Sequence, residues 1–250
     1  MITSEIQLVL TAVTLALLSY GLHRLRRALR EIRREIKQIS EHHLQNLFQQ
    51  FQAFDTLGRE LDLARALPPL RVWAASPDFL LLLAEHAKAA TPAVVVECGS
   101  GASTVVLARC MQQNNKGHVY SLEHDTNFGA TTRRYLERHG LLEWATIVDA
   151  PLGSQEIHGR TWNWYAPKTP LPERIDMLVV DGPPAAVGHL ARYPAGPLFF
   201  GRMNTGGSVF LDDVIRNDEK EIVRRWLLEF PKLHRTDHCC EKGCTELEGF

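Results

Sequence analysis

The chain has 250 residues, 45% hydrophobic and 23% charged, enough for one substantial core and an extension. Its 28 basic and 29 acidic side chains leave a net charge of -1, which argues against nucleic acid as a partner. The five cysteines, Cys98, Cys110, Cys239, Cys240 and Cys244, lack the dense spacing of a secreted disulfide scaffold and point to a reducing compartment.

From Ile6 to Leu22 the stretch IQLVLTAVTLALLSYGL carries no formal charge, slightly short of the ~20 residues that span a bilayer core. Arg24, Arg26, Arg27, Arg30, Arg33 and Arg34 follow it, and no Lys or Arg precedes it. The positive-inside rule then predicts an uncleaved single-pass anchor over residues 1–22 in the inner membrane, with the rest of the chain in the cytoplasm; a buried or interfacial helix is the alternative. The arginines also suit anionic lipid head groups. Leu22, Leu25, Leu29, Ile32, Ile36 and Ile39 alternate spacings of three and four, a short heptad seam. After a phase shift Leu47, Phe51, Phe54, Leu57 and Leu61 continue the stripe. A long amphipathic helix is expected over 23–66, whose 22–61 face either pairs with a second copy as a homodimer or packs on its own domain.

A separate domain is expected over 67–250. SPDFLLLLAEHAKAA reads as a helix closed by Thr91-Pro92. Strand-like VVVEC, HVYSLEH, ATIVDA, DMLVVDG and SVFLDD then alternate with helical stretches near 102–113 and 126–139. Such alternation predicts a parallel sheet covered by helices, with the ligand crevice at the carboxyl ends of its strands. Those ends carry Glu97, Glu123, Asp149, Asp181 and Asp212, a poor setting for a polyanion.

The glycine turn Gly99-Ser100-Gly101 follows the first strand. It lacks the lysine of a phosphate loop, and Thr104 stands where a dinucleotide fingerprint wants a third Gly or Ala. A nucleoside without phosphates remains, carrying positive sulfonium and ammonium groups that acidic walls tolerate. Glu123 lies 22 residues after Gly101, near the usual ~20 for a ribose-binding acid.

With E-C-G-S-G-A-S-T, S-L-E-H-D, L-V-V-D-G-P-P and F-L-D-D-V in this order, residues 70–250 resemble the class I S-adenosylmethionine (SAM)-dependent methyltransferases. The resemblance implies a Rossmann-like, seven-stranded, mostly parallel sheet with helices on both faces. A late antiparallel hairpin would turn near Lys242-Gly243. It also implies cofactor contacts from Glu97, Gly99, Ser100, Gly101, Ser103 and Asp181, ribose contact from Glu123, and adenine contacts near Asp149 and Ala150.

Asp181 with Asp212 and Asp213 is similar to the Mg2+ ligands of catechol-type and macrolide-sugar O-methyltransferases. The lysine that catechol-type enzymes carry three residues after the first ligand is Pro184 here. Asp213 could equally cap the helix that follows. His124, His189 and Tyr193 are candidate bases, and Asp181, His124 and Tyr193 the expected catalytic set. Arg192 and Tyr193 in GHLARYPAGP could receive a substrate, or the loop is a rigid one with Arg192 in an internal ion pair; Trp164 in GRTWNWYAPK could stack on a ring, or belong to the core or to a lid over the sheet edge. Adjacent Cys239 and Cys240 point to opposite faces of a strand and make poor joint zinc ligands. The leading expectation is a membrane-anchored methyltransferase acting on oxygen of a small-molecule, glycan or lipid-linked acceptor. The alternatives are a non-catalytic SAM-binding or scaffold module and a nucleotide-cofactor oxidoreductase on the same fold.

Overall fold

A computed structural model describes residues 2–63, 65–70 and 74–250. The proline-free N-terminal sequence forms one helix, α1 (Ile2–Glu60). Two units divide the chain between Gln49 and Gln50, inside this helix rather than at Pro68-Pro69, where composition changes.

In the first unit the seam Leu22, Leu25, Leu29, Ile32, Ile36 and Ile39 is exposed. Among the described residues no helix is long and apolar enough to cross a membrane. The anchor expected over 1–22 is therefore not found: it falls partly on side chains outside the description, and residues 10–22 alone are fewer than the ~20 a bilayer core needs.

In the second unit the last turns of α1 become core, with Leu57 and Leu61 fully buried. Gln50 fixes this segment by donating to Asp78 Oδ2 at 2.7 Å and accepting from the Asp78 N–H at 3.2 Å. Helix α2 (Pro77–Ala90) starts with a proline in its first turn, where a missing N–H is harmless, and ends at Thr91 in a left-handed conformation. Then come β1 (Val94–Cys98), α3 (Ala102–Asn114), β2 (His118–Glu123), α4 (Thr126–Arg138) and β3 (Ala145–Asp149). A hairpin, β4 (Leu152–Ile157) and β5 (Arg160–Tyr165), precedes β6 (Ile175–Val180). The chain continues through α5 (Ala195–Phe199), β7 (Met203–Asp212), α6 (Asn217–Glu229), β8 (His234–His238) and β9 (Cys244–Glu248).

The main sheet has seven strands in the order β3-β2-β1-β6-β7-β9-β8. The first five pair in parallel, and β9 runs antiparallel to both β7 and β8. This is the expected mostly parallel sheet with its late hairpin, and Gly243 in the hairpin turn has φ +70°. Because strand side chains alternate, Val95, Met177 and Phe210 enter one core with α2 and α3. Val96, Leu178 and Leu211 enter the other, with Ile222 and Trp226 of α6. Burial on both faces explains why these strands read as continuous apolar runs. The chain order reverses direction between β1 and β6, which puts the crevice at their carboxyl ends.

Candidate active site

At the end of β1 the Glu97 carboxylate is completely buried. Its Oε2 accepts from Thr104 Oγ1 at 2.6 Å and Ser121 Oγ at 2.8 Å. Oε1 has no partner among the described residues. Burial raises the Glu97 pKa, and those hydroxyls oppose the shift. Thr104 is thus an anchor rather than a defect in a dinucleotide fingerprint, since it also accepts from the Gly101 N–H at 3.0 Å.

Gly99 turns the chain at φ +100°, with the Asp181 carbonyl 3.5 Å from the point a Cβ would occupy. A Cβ on Gly101 would meet no atom within 4 Å, so the start of α3 presents bare backbone to open space. The positive end of the helix dipole points there. Glu123 ties the turn to the next loop. Its Oε2 accepts from the Ser100 N–H at 3.1 Å and Ser100 Oγ at 2.7 Å, and its Oε1 accepts from the Asp125 N–H at 2.9 Å. A carboxylate accepts about four hydrogen bonds, so capacity remains. His124 Nδ1 stands 3.2 Å from Glu123 Oε1, with its ring 6.1 Å from that of Tyr165.

Tyr165, from the unforeseen β4–β5 hairpin, brings a buried hydroxyl with no partner among the described residues. Burial holds this phenol well above its ordinary pKa. A Cβ on Gly182 would collide with that hydroxyl and stand 3.1 Å from the Cys98 carbonyl, which explains the glycine after Asp181. Gly182→Ala is expected to lower stability by ~1–3 kcal/mol in urea unfolding, with part restored by adding Tyr165→Phe. An unrelieved double mutant would show that the hydroxyl is not the obstruction.

The Asp181 N–H donates to the Cys98 carbonyl at 3.1 Å, setting the β6 end beside the glycine turn. Burial pushes the Asp181 carboxyl up to about 6, against the pull of Arg192. The folded chain therefore holds this proton more tightly than the unfolded chain, so the Asp181 contribution to stability falls as pH rises from 3.8 to about 6. Asp181→Asn should flatten that decline in melting temperature, followed by calorimetry across the window. An identical slope in both proteins would remove Asp181 as its source.

Several expected site residues are engaged elsewhere. Arg192 is 4% exposed and forms internal ion pairs, so it is not a free substrate receptor. The Tyr193 hydroxyl donates to Glu229 Oε1 at 2.6 Å and lies 3.2 Å from His158 Nδ1, which occupies the proposed base. Trp164 is buried against Tyr165 because alternation along β5 turns both tryptophans inward, so it offers no stacking face. His189 faces Asp218 at the surface. The Asp149 carboxylate is held by Arg133 at 2.6 Å, while the Ala150 N–H reaches the Glu123 carbonyl at 2.8 Å.

Asp181, Asp212 and Asp213 do converge, with carboxylate atoms within 4.8 Å of one another. The residues nevertheless do not fit a divalent cation. Arg192 Nη2 lies 2.8 Å from Asp213 Oδ2 and 3.3 Å from Asp181 Oδ1, and Arg216 Nη1 lies 2.9 Å from the same Asp213 oxygen. A dication ~4 Å from one guanidinium would be repelled by on the order of 8 kcal/mol at an effective dielectric constant of ~20. Sequence reasoning missed Arg216 and Glu219, whose only linear signal was the helix start R-N-D-E.

Residues 96–214 match the family model of a methyltransferase domain. The matched segment begins in β1 and ends just beyond Asp213, so it contains the glycine turn and every acidic strand end described above. No curated protein matches the chain significantly. Among solved structures, an SAH-bound methyltransferase from Podospora anserina is 13% identical, covers 79% of this chain and 88% of its own, and superimposes with a TM-score of 0.55. An O-methyltransferase from Bacillus cereus in complex with SAH is 16% identical over 79% of this chain and 90% of its own, with a TM-score of 0.54. The Streptomyces achromogenes O-methyltransferase of tomaymycin synthesis, in complex with SAM, is 18% identical over 80% and 88%, with a TM-score of 0.52. These likenesses show a shared fold.

Proposed function

We propose that this chain is a SAM-dependent methyltransferase acting on a hydroxyl oxygen of a small-molecule, glycan or lipid-linked acceptor. The observation that carries the reading is the convergence of a bare glycine turn, the unpartnered Glu97 Oε1 and Glu123 at adjacent strand ends. The residues fit the cofactor: a buried carboxylate oxygen suits a cationic ammonium, and Glu123 retains acceptor capacity for ribose hydroxyls. Bound SAM supplies a methyl group already activated by its sulfonium charge.

The chain's own work is then to hold, orient and deprotonate. Thr104 and Ser121 fix Glu97, and Ser100 fixes Glu123, so neither carboxylate must reorganise on binding. Positioning of this kind supplies ~7 kcal/mol or more in well-oriented reactions. His124, beside Glu123 and Tyr165, is the candidate proton acceptor.

The same reading places the protein at the cytoplasmic face of the inner membrane. Its support is the charge-free run ending at Leu22 and the arginines that follow. The exposed 22–39 seam supports pairing with a second copy. A reporter fused after Phe250 should be active in the cytoplasm only, and a periplasmic signal would reverse the orientation.

Transfer of labelled methyl from SAM into membrane extract by the full chain tests the activity. Label in an acceptor, lost in His124→Ala, supports the reading. Stoichiometric SAM binding with no transfer to any extract component would instead favour a non-catalytic module.

A further inference from the structure

We infer that the Arg192 guanidinium is the resident cation of the Asp181, Asp212 and Asp213 cluster, standing where a divalent metal would, and that this site takes no metal. The inference rests on the cluster alone and holds whatever the chain methylates.

Three strand-end carboxylates with atoms within 4.8 Å of one another form a spacing that suits one compact positive charge. That charge is already present. Arg192 comes from the loop after β6 and is buried. Its Nη2 reaches Asp213 Oδ2, Asp181 Oδ1 and the Asp181 carbonyl, the last at 3.1 Å, while Nη1 donates to the Asp212 carbonyl at 3.0 Å. Carboxylate and carbonyl oxygens from two adjacent strand ends are the donor types a hard cation uses. Here the fork of one side chain gathers them, and a guanidinium keeps its proton at every pH the fold survives.

What is left over agrees. Both carboxyl oxygens of Asp212 are buried and have no hydrogen-bond partner among the described residues. Burial, with Asp181 and Asp213 nearby, holds its pKa well above the ordinary carboxylate value. Glu219 lies 3.9 Å from Arg192 Nε and 3.7 Å from Arg216 Nη1, and its other oxygen is unpartnered. The acceptor hydroxyl must then lose its proton to a side chain or by its own acidity.

Mn2+ added to the full chain, followed by electron paramagnetic resonance, reads the difference. Wild-type protein and Arg192→Lys should leave the free Mn2+ signal undiminished. Arg192→Gln should gain one site about a hundredfold tighter than any in wild type, lost again on adding Asp212→Asn. Mn2+ should also raise the melting temperature of Arg192→Gln and not that of wild type. A stoichiometric Mn2+ site in wild type that Asp212→Asn abolishes would overturn the inference, as would a folded Arg192→Gln that binds no Mn2+. Should Arg192→Gln fail to fold even with Mn2+, the wild-type and Asp212→Asn titrations decide alone: no site in either supports the inference.

Discussion

Valine at Gly101 is expected to lower affinity for SAM about a hundredfold, equivalent to ~2.7 kcal/mol, while leaving the melting temperature nearly unchanged. The two readouts separate because a Cβ here meets no protein atom within 4 Å. The added side chain instead fills the space in front of the first N–H groups of α3, where the account puts the methionine part of the cofactor. Titration calorimetry against SAM and a thermal melt on the same sample check it. Equal affinity in both proteins would show that ligand does not approach this turn. A large drop in melting temperature would show a packing role that the structure does not contain.

The second large effect is on stability. Arg192→Gln is expected to destabilise the fold by ~3–5 kcal/mol, the usual result of removing one partner from a buried ion pair. The loss is mainly the penalty of leaving Asp181 and Asp213 in a buried place without their counter-charge. Arg216 softens it, since it also lies 2.9 Å from Asp213 Oδ2. Urea unfolding measures the change, and Asp213→Asn combined with Arg192→Gln should recover part of it, because one uncompensated charge is then gone. A double mutant no better than the single would mean that Arg192 acts through its backbone-carbonyl contacts alone.

These two residues also show what was legible beforehand. Gly101 and its neighbours were readable because a glycine turn between a continuous apolar strand and a helix is a local pattern. The carboxyl ends of β1, β2, β6 and β7 follow from where apolar runs stop. The C-terminal hairpin came only through the family resemblance, which implied a late antiparallel turn near Lys242-Gly243; β8, HRTDH, has no apolar run to announce it. Arg192 was not. In the sequence it is one arginine in a proline-containing loop, and nothing linear says that its partners stand at 181 and 213, just past the ends of two different strands. Tyr193 suggested a pocket by its type, but Glu229 engages it; Trp164 takes the core alternative, on the inward face of β5.

Two structural features escaped for different reasons. The β4–β5 hairpin is largely polar on β4, with only Ile157 buried there, so no apolar period announced it. It matters because it delivers Tyr165. The unit border inside α1 has no composition change either, since an amphipathic stripe simply continues through Leu47, Phe51 and Phe54. Only the complete burial of Leu57 and Leu61 reveals that this end of the helix is core.

Titration of the full chain with SAM, and separately with NAD, tests the central claim most directly. One SAM site per chain is expected, weakened in Glu97→Ala and in Gly101→Val, and no heat with NAD. Binding of NAD in place of SAM, or no SAM site in folded protein, would contradict it.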